Sequence, residues 1–299
     1  MLANININYE DSVNRKPGIT KCGNFEFQWG RCTYVMGILN TSPESFSGDG
    51  VSGLDTALEQ AQKMVDEGAD ILDIGGESTK PGYQPITVEE ELRRVIPVIE
   101  IIAPVISIPI SIDTTKYEVA RAAVKAGARI LNDQWGLKKD IKLAELAAEK
   151  NLPIILMSNQ RDKGSYDAGI QRDASTYTDV ISVVKSSLSN SLNVALKTGV
   201  TEDNIILDPG IGFGKTWQQD IEIVRSLKVL EDLGRPILLG PSRKSLIKMV
   251  LNLPANDRVE GTAAVVAIGI ANGADVVRVH DVKQISRVCK MSDAIVRGL

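Results

Sequence analysis

The stretch "AGARILND", residues 126–133, contains a helix end, an apolar run and a polar strand end. Gly127 follows the helical pattern of Tyr117–Ala126, and glycine at that place commonly takes the left-handed conformation that ends a helix. The apolar run that follows predicts a strand over Arg129–Asp133. The same Gly-Ala pair precedes two further apolar runs, at Gly68 and Gly273. The stretch is therefore typical of one repeating unit of an α/β fold.

Strand-like apolar runs recur along the whole chain. They are Tyr34–Asn40, Asp70–Gly75, Ile108–Asp113, Arg129–Asp133, Ile154–Met157, Ile205–Asp208, Ile237–Gly240 and Val276–His280. Helix-like stretches alternate with them: Leu54–Glu67, Val88–Ala103, Tyr117–Ala126, Ile141–Lys150, Thr176–Thr198, Gln219–Leu233, Gly261–Asn272 and Gln284–Arg297. Apolar strands that alternate with helices indicate a parallel sheet covered on both faces, and eight such units form a closed barrel.

The fold class predicted is α/β, a single (β/α)8 TIM barrel over residues 33–299. Residues 1–32 form an extension in which "NFEFQWGRCTY" suggests a short hairpin closing the barrel bottom. A doubly wound open sheet is the alternative architecture, since it shows the same alternation of strands and helices.

Composition excludes several classes of protein. The 299 residues are 43% hydrophobic and carry a net charge of -4, with no basic stripe that would bind nucleic acid. The three cysteines form no C-x-x-C pair, which suits a reducing compartment. No signal peptide or span of about 18 apolar residues is recognisable. We therefore expect a soluble, cytoplasmic protein that does not associate with membranes.

Polar residues follow almost every predicted strand. The carboxyl ends of barrel strands form the active-site mouth, so these side chains should converge. They are Asn40, Glu77, Ser78, Asp113, Asn132, Asp133, Ser158, Asn159, Asp208, Ser242, Arg243, Lys244, Arg278, His280 and Asp281. For any single Asp or Asn, capping of the next helix is the alternative role.

Two groups among these residues suggest a chemistry. Asp113, Asn132 and Asp208 could read the edge of a planar heterocycle, because carboxylates accept paired N–H bonds and an amide both donates and accepts. Lys244, Arg243, Arg278 and His280 supply donors for an anion in an otherwise acidic protein. Arg278 and His280 stand two apart on a strand, so they point the same way.

The run "LDPGIGFGKT", residues 207–216, superficially resembles a phosphate-binding loop. A P-loop requires glycine where this chain has Pro209, and proline has no N–H and a fixed φ. The G-x-G-x-x-G pattern also fails, because Lys215 occupies the third glycine position. We expect a βα loop in which Phe213 lines the cavity and Lys215 is a packing charge, with P-loop ATPase activity as a disfavoured alternative.

Seven motifs in order resemble the dihydropteroate synthase family, from Thr33 to the end of the chain. They are "MGILNTSPESFS" (36–47), "DIGGESTKPG" (73–82), "SIDT" (111–114), "LND" (131–133), "LDPGIGFGKT" (207–216), "SRKS" (242–245) and "RVHD" (278–281). The resemblance implies condensation of 6-hydroxymethyl-7,8-dihydropterin diphosphate with p-aminobenzoate. It also implies a Mg²⁺ cofactor, a p-aminobenzoate site that is a target of sulfonamides, and a homodimer.

The resemblance also implies roles for individual residues. The catalytic residues would be Asp113, Lys244, Arg278 and His280. The pterin would be bound by Asp113, Asn132, Asp208, Phe213 and Lys244. The diphosphate would be bound by Asn40, Arg278 and His280, with Asn40 also a ligand of Mg²⁺. The p-aminobenzoate would lie near Phe46, Thr79, Pro81 and Ser245.

The chain departs from the family pattern at four positions. Glu44 stands where Asp is usual, Asp49 is displaced by one place, Lys80 replaces Arg and Ser158 replaces His. Two alternative functions follow: a non-catalytic pterin-binding paralogue, which the altered loops would suit, and a methyltetrahydrofolate-dependent corrinoid methyltransferase. The "SRKS" motif and the two loop motifs, at 36–47 and 73–82, count against the methyltransferase.

Overall fold

The computed structural model describes residues 18–41, 50–77, 84–161 and 177–298. The strands in this part of the chain are β1 (Ile19–Cys22), β2 (Phe25–Gln28), β3 (Tyr34–Asn40), β4 (Ile71–Gly75), β5 (Ile110–Asp113), β6 (Ile130–Asp133), β7 (Ile154–Met157), β8 (Ile205–Asp208), β9 (Leu238–Leu239) and β10 (Val276–Val279). The α-helices are α1 (Gly50–Asp66), α2 (Val88–Ile102), α3 (Tyr117–Ala126), α4 (Lys142–Lys150), α5 (Val180–Lys197), α6 (Trp217–Arg225), α7 (Ser245–Leu251), α8 (Val259–Ala271) and α9 (Val282–Val296).

Strands β3 to β10 form a closed parallel barrel. Their order in the sheet is β8-β7-β6-β5-β4-β3-β10-β9. A parallel bridge between Leu207 and Ile237 joins the two ends of this order, and Leu207 N donates to Pro236 O at 2.9 Å. The (β/α)8 barrel prediction is thus confirmed, and the open doubly wound alternative is wrong because the sheet closes.

The hairpin of β1 and β2 closes the bottom of the barrel. The two strands pair antiparallel from Ile19↔Gln28 to Cys22↔Phe25. The Phe27 ring stacks on Trp29 with centroids 5.3 Å apart and meets Tyr34 edge-on at 5.0 Å. These rings join one apolar cluster with the inward residues at the start of the barrel strands. The expected hairpin is therefore present, and the domain boundary at residue 33 stays a prediction.

Strand alternation sorts the barrel residues into two sides. Outward residues such as Leu72 and Leu131 pack under the helices, whereas inward residues such as Ile71 and Ile130 fill the lower barrel. Two residues further along each strand, the inward side chain lies one layer nearer the mouth. That upper layer contains Ile38, Asp73, Asp113, Asn132, Met157, Asp208, Gly240 and Arg278. The inside of the barrel thus changes from apolar to charged within one layer.

The helices differ most from the sequence prediction at two places, and elsewhere their ends shift by up to four residues. The pattern over Gln219–Leu233 becomes α6, Trp217–Arg225, followed by a 3-10 helix, Leu227–Leu233. The start of α6 is set by a capping box, in which the Thr216 and Gln219 side chains each bond the backbone of the other. Helix α7 was not predicted, since its seven residues are too few to show a clear period. Gly68, Gly127 and Gly273 have positive φ, so the predicted helix-ending role of this glycine is confirmed.

Candidate active site

The charged centre of the upper layer is an ion-pair triad. Arg278 on β10 donates from Nε to Asp73 Oδ2 at 2.6 Å and from Nη2 to Asp113 Oδ2 at 2.9 Å. Asp73 on β4 is completely buried, and its Oδ1 has no hydrogen-bond partner among the described residues. Burial raises the pKa of Asp113, the Arg278 charge opposes this rise and the Asp73 charge adds to it. The triad therefore holds two carboxylates against one guanidinium.

Two amides extend the triad along β6. Asn132 donates from Nδ2 to Asp73 Oδ2 at 3.1 Å, and Gln134 donates from Nε2 to Asp113 Oδ2. Both amides are buried, with 4% and 6% of their surface exposed. The structure thus brings the predicted residues Asp113, Asn132 and Arg278 into one hydrogen-bonded network.

Across the barrel, Asp208 and Lys244 lie close enough for their charges to influence each other. Asp208 at the end of β8 accepts from Gly210 N at 2.6 Å. Lys244 Nζ donates to Ile211 O at 2.5 Å and lies 4.7 Å from the centre of the Phe213 ring. Burial raises the pKa of Asp208, which the Lys244 charge opposes, and burial lowers the pKa of Lys244 to about 8. A carboxylate, an ammonium and an aromatic face therefore lie together.

Glycines give the loop after β8 its tight path. Gly210 and Gly214 both have φ of about 71°. A Cβ on Gly210 would lie 2.3 Å from Ser158 O, and one on Gly214 would lie 2.3 Å from Gln160 C. Lys215 Nζ donates to Ser158 O and Phe213 O at 3.2 and 3.0 Å. The lysine is thus bound by backbone carbonyls, as expected of a packing charge.

His280 and Ser242 form a pair at the end of β10. Ser242 Oγ accepts from His280 N at 3.2 Å and lies 3.0 Å from His280 Nδ1. A hydroxyl has one proton and two acceptor lone pairs, so Ser242 Oγ donates to Nδ1 in the tautomer that carries the ring proton on Nε2. This tautomer makes Nε2 a hydrogen-bond donor, the type of group that an anion requires.

Arg243 forms an ion pair with Asp281 beside the mouth. Its Nη2 and Nε donate to Asp281 Oδ1 and Oδ2 at 2.5 and 3.1 Å, a bidentate pair. Arg243 also has φ of 60°, in the left-handed region that residues other than glycine seldom adopt. A guanidinium has five N–H donors and this pair uses two of them, so the expectation that Arg243 supplies a donor for an anion stays a prediction.

The remaining predicted residues have varied positions. Asn40 is exposed at the end of β3, and Ser245 is exposed at the first position of α7. Phe46, Thr79 and Pro81, predicted to bind p-aminobenzoate, lie outside the described residues, as do Glu44, Asp49 and Lys80. Ser158, by contrast, is fully buried, and its Oγ accepts from Gln160 Nε2 at 2.8 Å.

The alternative capping role does not apply to Asp113 or Asp208. The helices that follow them begin after Lys116 and Thr216, so neither aspartate is the capping residue. Asp133 does have a local structural role, since its carboxylate accepts from Trp135 N and Leu137 N at 2.9 and 2.6 Å. Asp113 and Asp208 thus face the barrel mouth as expected, whereas Asp133 has a local structural role instead.

Three polar groups of the site were missed by reading only the strand ends. Asp73 lies inside β4, Gln134 lies beyond β6, and Lys116 follows β5. Lys116 Nζ donates to Glu77 Oε2 at 2.6 Å, just after β4, and to Glu91 Oε2 at 2.5 Å, on α2. A carboxylate inside the otherwise apolar strand "ILDIG" was the available signal for Asp73. Counting on by two from Asn132 would have found Gln134.

The fold and this mouth define a class of barrel enzymes that bind pterins, and the family described as "Pterin binding enzyme" matches residues 36–280. A dihydropteroate synthase from Clostridium beijerinckii is 48% identical over 279 residues, which are 93% of this chain and 99% of that relative. The chain therefore belongs to the dihydropteroate synthase family.

Two solved structures agree with this assignment. A dihydropteroate synthase from Clostridium difficile, crystallised in the presence of pteroic acid, matches with a TM-score of 0.83 and 45% identity over 91% of this chain and 99% of that one. The Yersinia pestis enzyme with a sulfonamide drug complex matches with a TM-score of 0.85 and 34% identity over 94% of this chain and 100% of that one. In the described part of the chain, no helix is long and apolar enough to cross a membrane.

Proposed function

We propose that the protein condenses 6-hydroxymethyl-7,8-dihydropterin diphosphate with p-aminobenzoate, releasing pyrophosphate and 7,8-dihydropteroate. The observation that carries this proposal is that two groups of charged side chains face each other in one barrel mouth. Asp208 and Lys244 lie with Phe213 on one side, and Asp113 and Arg278 lie on the other. A flat ring rich in N–H donors suits the carboxylates, and an attached anion suits the cations.

Pterin binding would use the deepest polar groups. The Asp208 carboxylate would accept two parallel N–H bonds from the ring, and Asn132 would bond a neighbouring edge. The Phe213 ring, only 6% exposed, offers an apolar face to the heterocycle. Lys244 would donate to a ring acceptor, since its ammonium already lies over that aromatic face.

The reaction requires stabilisation of a departing anion. The C–O bond between the pterin methylene and the diphosphate breaks first, and its electron pair leaves on the diphosphate. The Nε2–H of His280 would donate to its oxygens, as would N–H groups of Arg278 beyond the two bonded to Asp73 and Asp113. The p-aminobenzoate nitrogen then attacks the carbocation and loses a proton.

Mg²⁺ fits the oxygen donors at this mouth. Asn40 offers an exposed amide oxygen, and the described residues contain no group of three or more His, Cys, Asp or Glu side chains arranged to hold a metal. A site with one protein oxygen plus diphosphate oxygens and water suits Mg²⁺, which often binds in this way. Bound there, Mg²⁺ would stabilise the growing charge on the diphosphate.

The second substrate would enter above the pterin. Pteroic acid, present with the Clostridium difficile enzyme, is a pterin joined to p-aminobenzoate, so one molecule spans both positions. Ser245, exposed at the start of α7 and next to Lys244, would contact the benzoate end. Sulfonamides share the shape of p-aminobenzoate, and we propose the same position for them.

We also propose a homodimer located in the cytoplasm. Large apolar side chains are exposed on the three C-terminal helices, α7, α8 and α9: Met249, Val250, Leu251, Ile268, Met291, Ile295 and Val296. Apolar surface of this kind is typical of interfaces. Light scattering should give twice the chain mass of 32.4 kDa, and Ile268→Glu should reduce it to one chain. A monomeric wild type would refute the dimer.

Pyrophosphate release tests the activity. Purified protein with both substrates and Mg²⁺ should release pyrophosphate, while Asp208→Ala and Lys244→Ala should nearly abolish it. Asp232→Ala, at an exposed ion pair with Lys185, should retain full activity. No turnover by the wild type would refute the proposal. Calorimetric binding of pterin without p-aminobenzoate, even with pyrophosphate present, would instead favour a non-catalytic paralogue.

A further inference from the structure

Gln134 has no role in the proposed reaction, yet its side chain reaches the centre of the site. It lies two residues beyond Asn132, so it continues the inward-facing side of β6. Its Nε2 donates to Asp113 Oδ2, the same oxygen that accepts from Arg278 Nη2 at 2.9 Å. Gln134 also lines a small cavity together with Asp113 and Phe213. The amide is therefore part of the wall that would face the ring.

The orientation of this amide is fixed by its neighbour. If the amide were flipped, Oε1 would face Asp113 Oδ2, and two acceptors would repel each other. With Nε2 on Asp113, Oε1 is buried and has no hydrogen-bond partner within the described ranges. A buried acceptor without a partner is less favourable than one that is bonded, because it has lost its hydrogen bonds to water. A donor from a bound ligand would remove this penalty.

Two buried acceptors at the mouth are available to a ligand. Asp73 Oδ1 and Gln134 Oε1 both lack partners among the residues described. The nearby donors each have a protein partner already: Arg278 bonds two carboxylates, Asn132 bonds Asp73, and Lys244 bonds a carbonyl. The site is thus complementary to a ring edge that carries N–H groups. A 7,8-dihydropterin has an N–H at position 8, whereas the aromatic pterin has an acceptor nitrogen there.

We propose that Gln134 is a specificity-determining residue that accepts a hydrogen bond from the ring N–H present only in the dihydropterin, while its Nε2 holds Asp113 in place. The inference rests on the proposed pterin-binding function. Gln134 thereby gives the pocket a preference for the reduced ring over the aromatic one.

The test compares two ligands that differ in this N–H. Dissociation constants of 6-hydroxymethyl-7,8-dihydropterin and 6-hydroxymethylpterin are measured anaerobically by calorimetry for the wild type and Gln134→Leu. We expect the wild type to prefer the reduced ring and the substitution to lower that preference about tenfold, the value of one buried hydrogen bond. Gln160→Leu is the matched control, because this glutamine bonds Ser158 and should leave the preference unchanged.

Other outcomes decide against the inference. An equal loss of affinity for both ligands would show that Gln134 only supports the structure, and an unchanged ratio would show that Oε1 makes no such bond. Gln134→Met, with a similar length, serves as a second variant if the leucine variant unfolds below the assay temperature. Failure of the wild type to bind either pterin would refute the proposed function itself, which separates the two failures.

Discussion

Arg278 Nε lies 2.6 Å from Oδ2 of Asp73, a carboxylate with no exposed surface. The pair joins β10 to β4 across the inside of the barrel, so it is made by two strands that are not neighbours. Asp73 Oδ2 also accepts from Asn132 Nδ2, which ties a third strand to the same oxygen. One buried carboxylate thus fixes the positions of a cation and an amide in the proposed substrate site.

Asp73→Ala should therefore reduce both stability and activity. Removing one partner of a buried ion pair leaves a poorly compensated charge, so unfolding in urea should show a loss of about 3 kcal/mol. The kcat/KM for the pterin diphosphate should fall at least about 100-fold, because Arg278 and Asn132 lose their shared acceptor. Asp73→Asn keeps an acceptor and should lose less stability.

The matched control is Asp232→Ala, which breaks a pair of the same 2.6 Å length with Lys185 at the surface. Exposed pairs contribute about 0–1 kcal/mol, so this variant should unfold close to the wild type. If the two alanine variants lost equal stability, burial would not be what gives the Arg278 pair its strength.

Lys244 should set the alkaline limb of the pH profile. Burial lowers its pKa to about 8 from an ordinary value of 10.5, although Asp208 opposes the change. The charged ammonium is the form that donates to the ring, so kcat/KM should be highest below about pH 8 and fall above it. Lys244→Arg keeps the charge to much higher pH and should move this limb upward, at reduced overall activity.

Lys248→Arg provides the comparison, because Lys248 is exposed on α7 one turn away. Its profile should superimpose on that of the wild type. An alkaline limb that stays at the same pH in Lys244→Arg would assign it to another group, such as the buried Lys215, whose pKa is also lowered to about 8.

Gly210→Ala should distort the loop after β8 by a steric clash. Gly210 has φ of 71°, and an added Cβ would lie 2.3 Å from Ser158 O. Gly23, in the β1–β2 turn, has φ of 60° but no atom within 4 Å of an added Cβ. Gly23→Ala should thus cost only the left-handed backbone strain of about 1–2 kcal/mol.

The difference between the two alanine variants isolates the clash. We expect Gly210→Ala to lose clearly more stability in thermal unfolding and to raise the Kd for pterin, because Asp208 Oδ1 bonds Gly210 N. Equal losses in both variants would mean that the loop can move away from Ser158 O at no cost.

Strand alternation explains how much the sequence could predict. Eight apolar runs and the Gly-Ala helix ends indicated the barrel, since both depend on local patterns that survive without tertiary information. The chemical types at Asp208 and Lys244 were readable for the same reason. The pairing of Arg278 with Asp73 was not, because the two residues are 205 positions apart and meet only when the barrel closes.

Arg243 shows what a sequence leaves open. Its position beside Lys244 suggests a second cation for the anion, and the structure adds a bidentate bond to Asp281 and a φ of 60°. No sequence pattern predicts which residue of "SRKS" takes that conformation. Charge type can thus be read from sequence, whereas the partner of each charge depends on backbone angles and on contacts between distant strands.

Asp275→Asn should change how stability depends on pH, with no direct effect on the mouth. Burial raises the pKa of Asp275 from 3.8 to about 6, although the bond from Ile237 N to its Oδ2, at 3.0 Å, opposes the rise. The folded state therefore binds a proton more tightly than the unfolded state does. The stability from this group is fully present below about pH 4 and is lost as pH rises through about 6.

The asparagine cannot ionise and still accepts the Ile237 bond. The free energy of unfolding of Asp275→Asn should therefore rise relative to that of the wild type as the pH increases from 4 to 7. The total gain should be about 3 kcal/mol for a shift of about two pKa units. Urea unfolding of both proteins at pH 4, 5, 6 and 7 measures this difference. Asp66→Asn, at an exposed carboxylate on α1, is the control and should not show this growing gain in stability. A difference between Asp275→Asn and the wild type that shrinks with rising pH would mean that the fold favours the charged carboxylate.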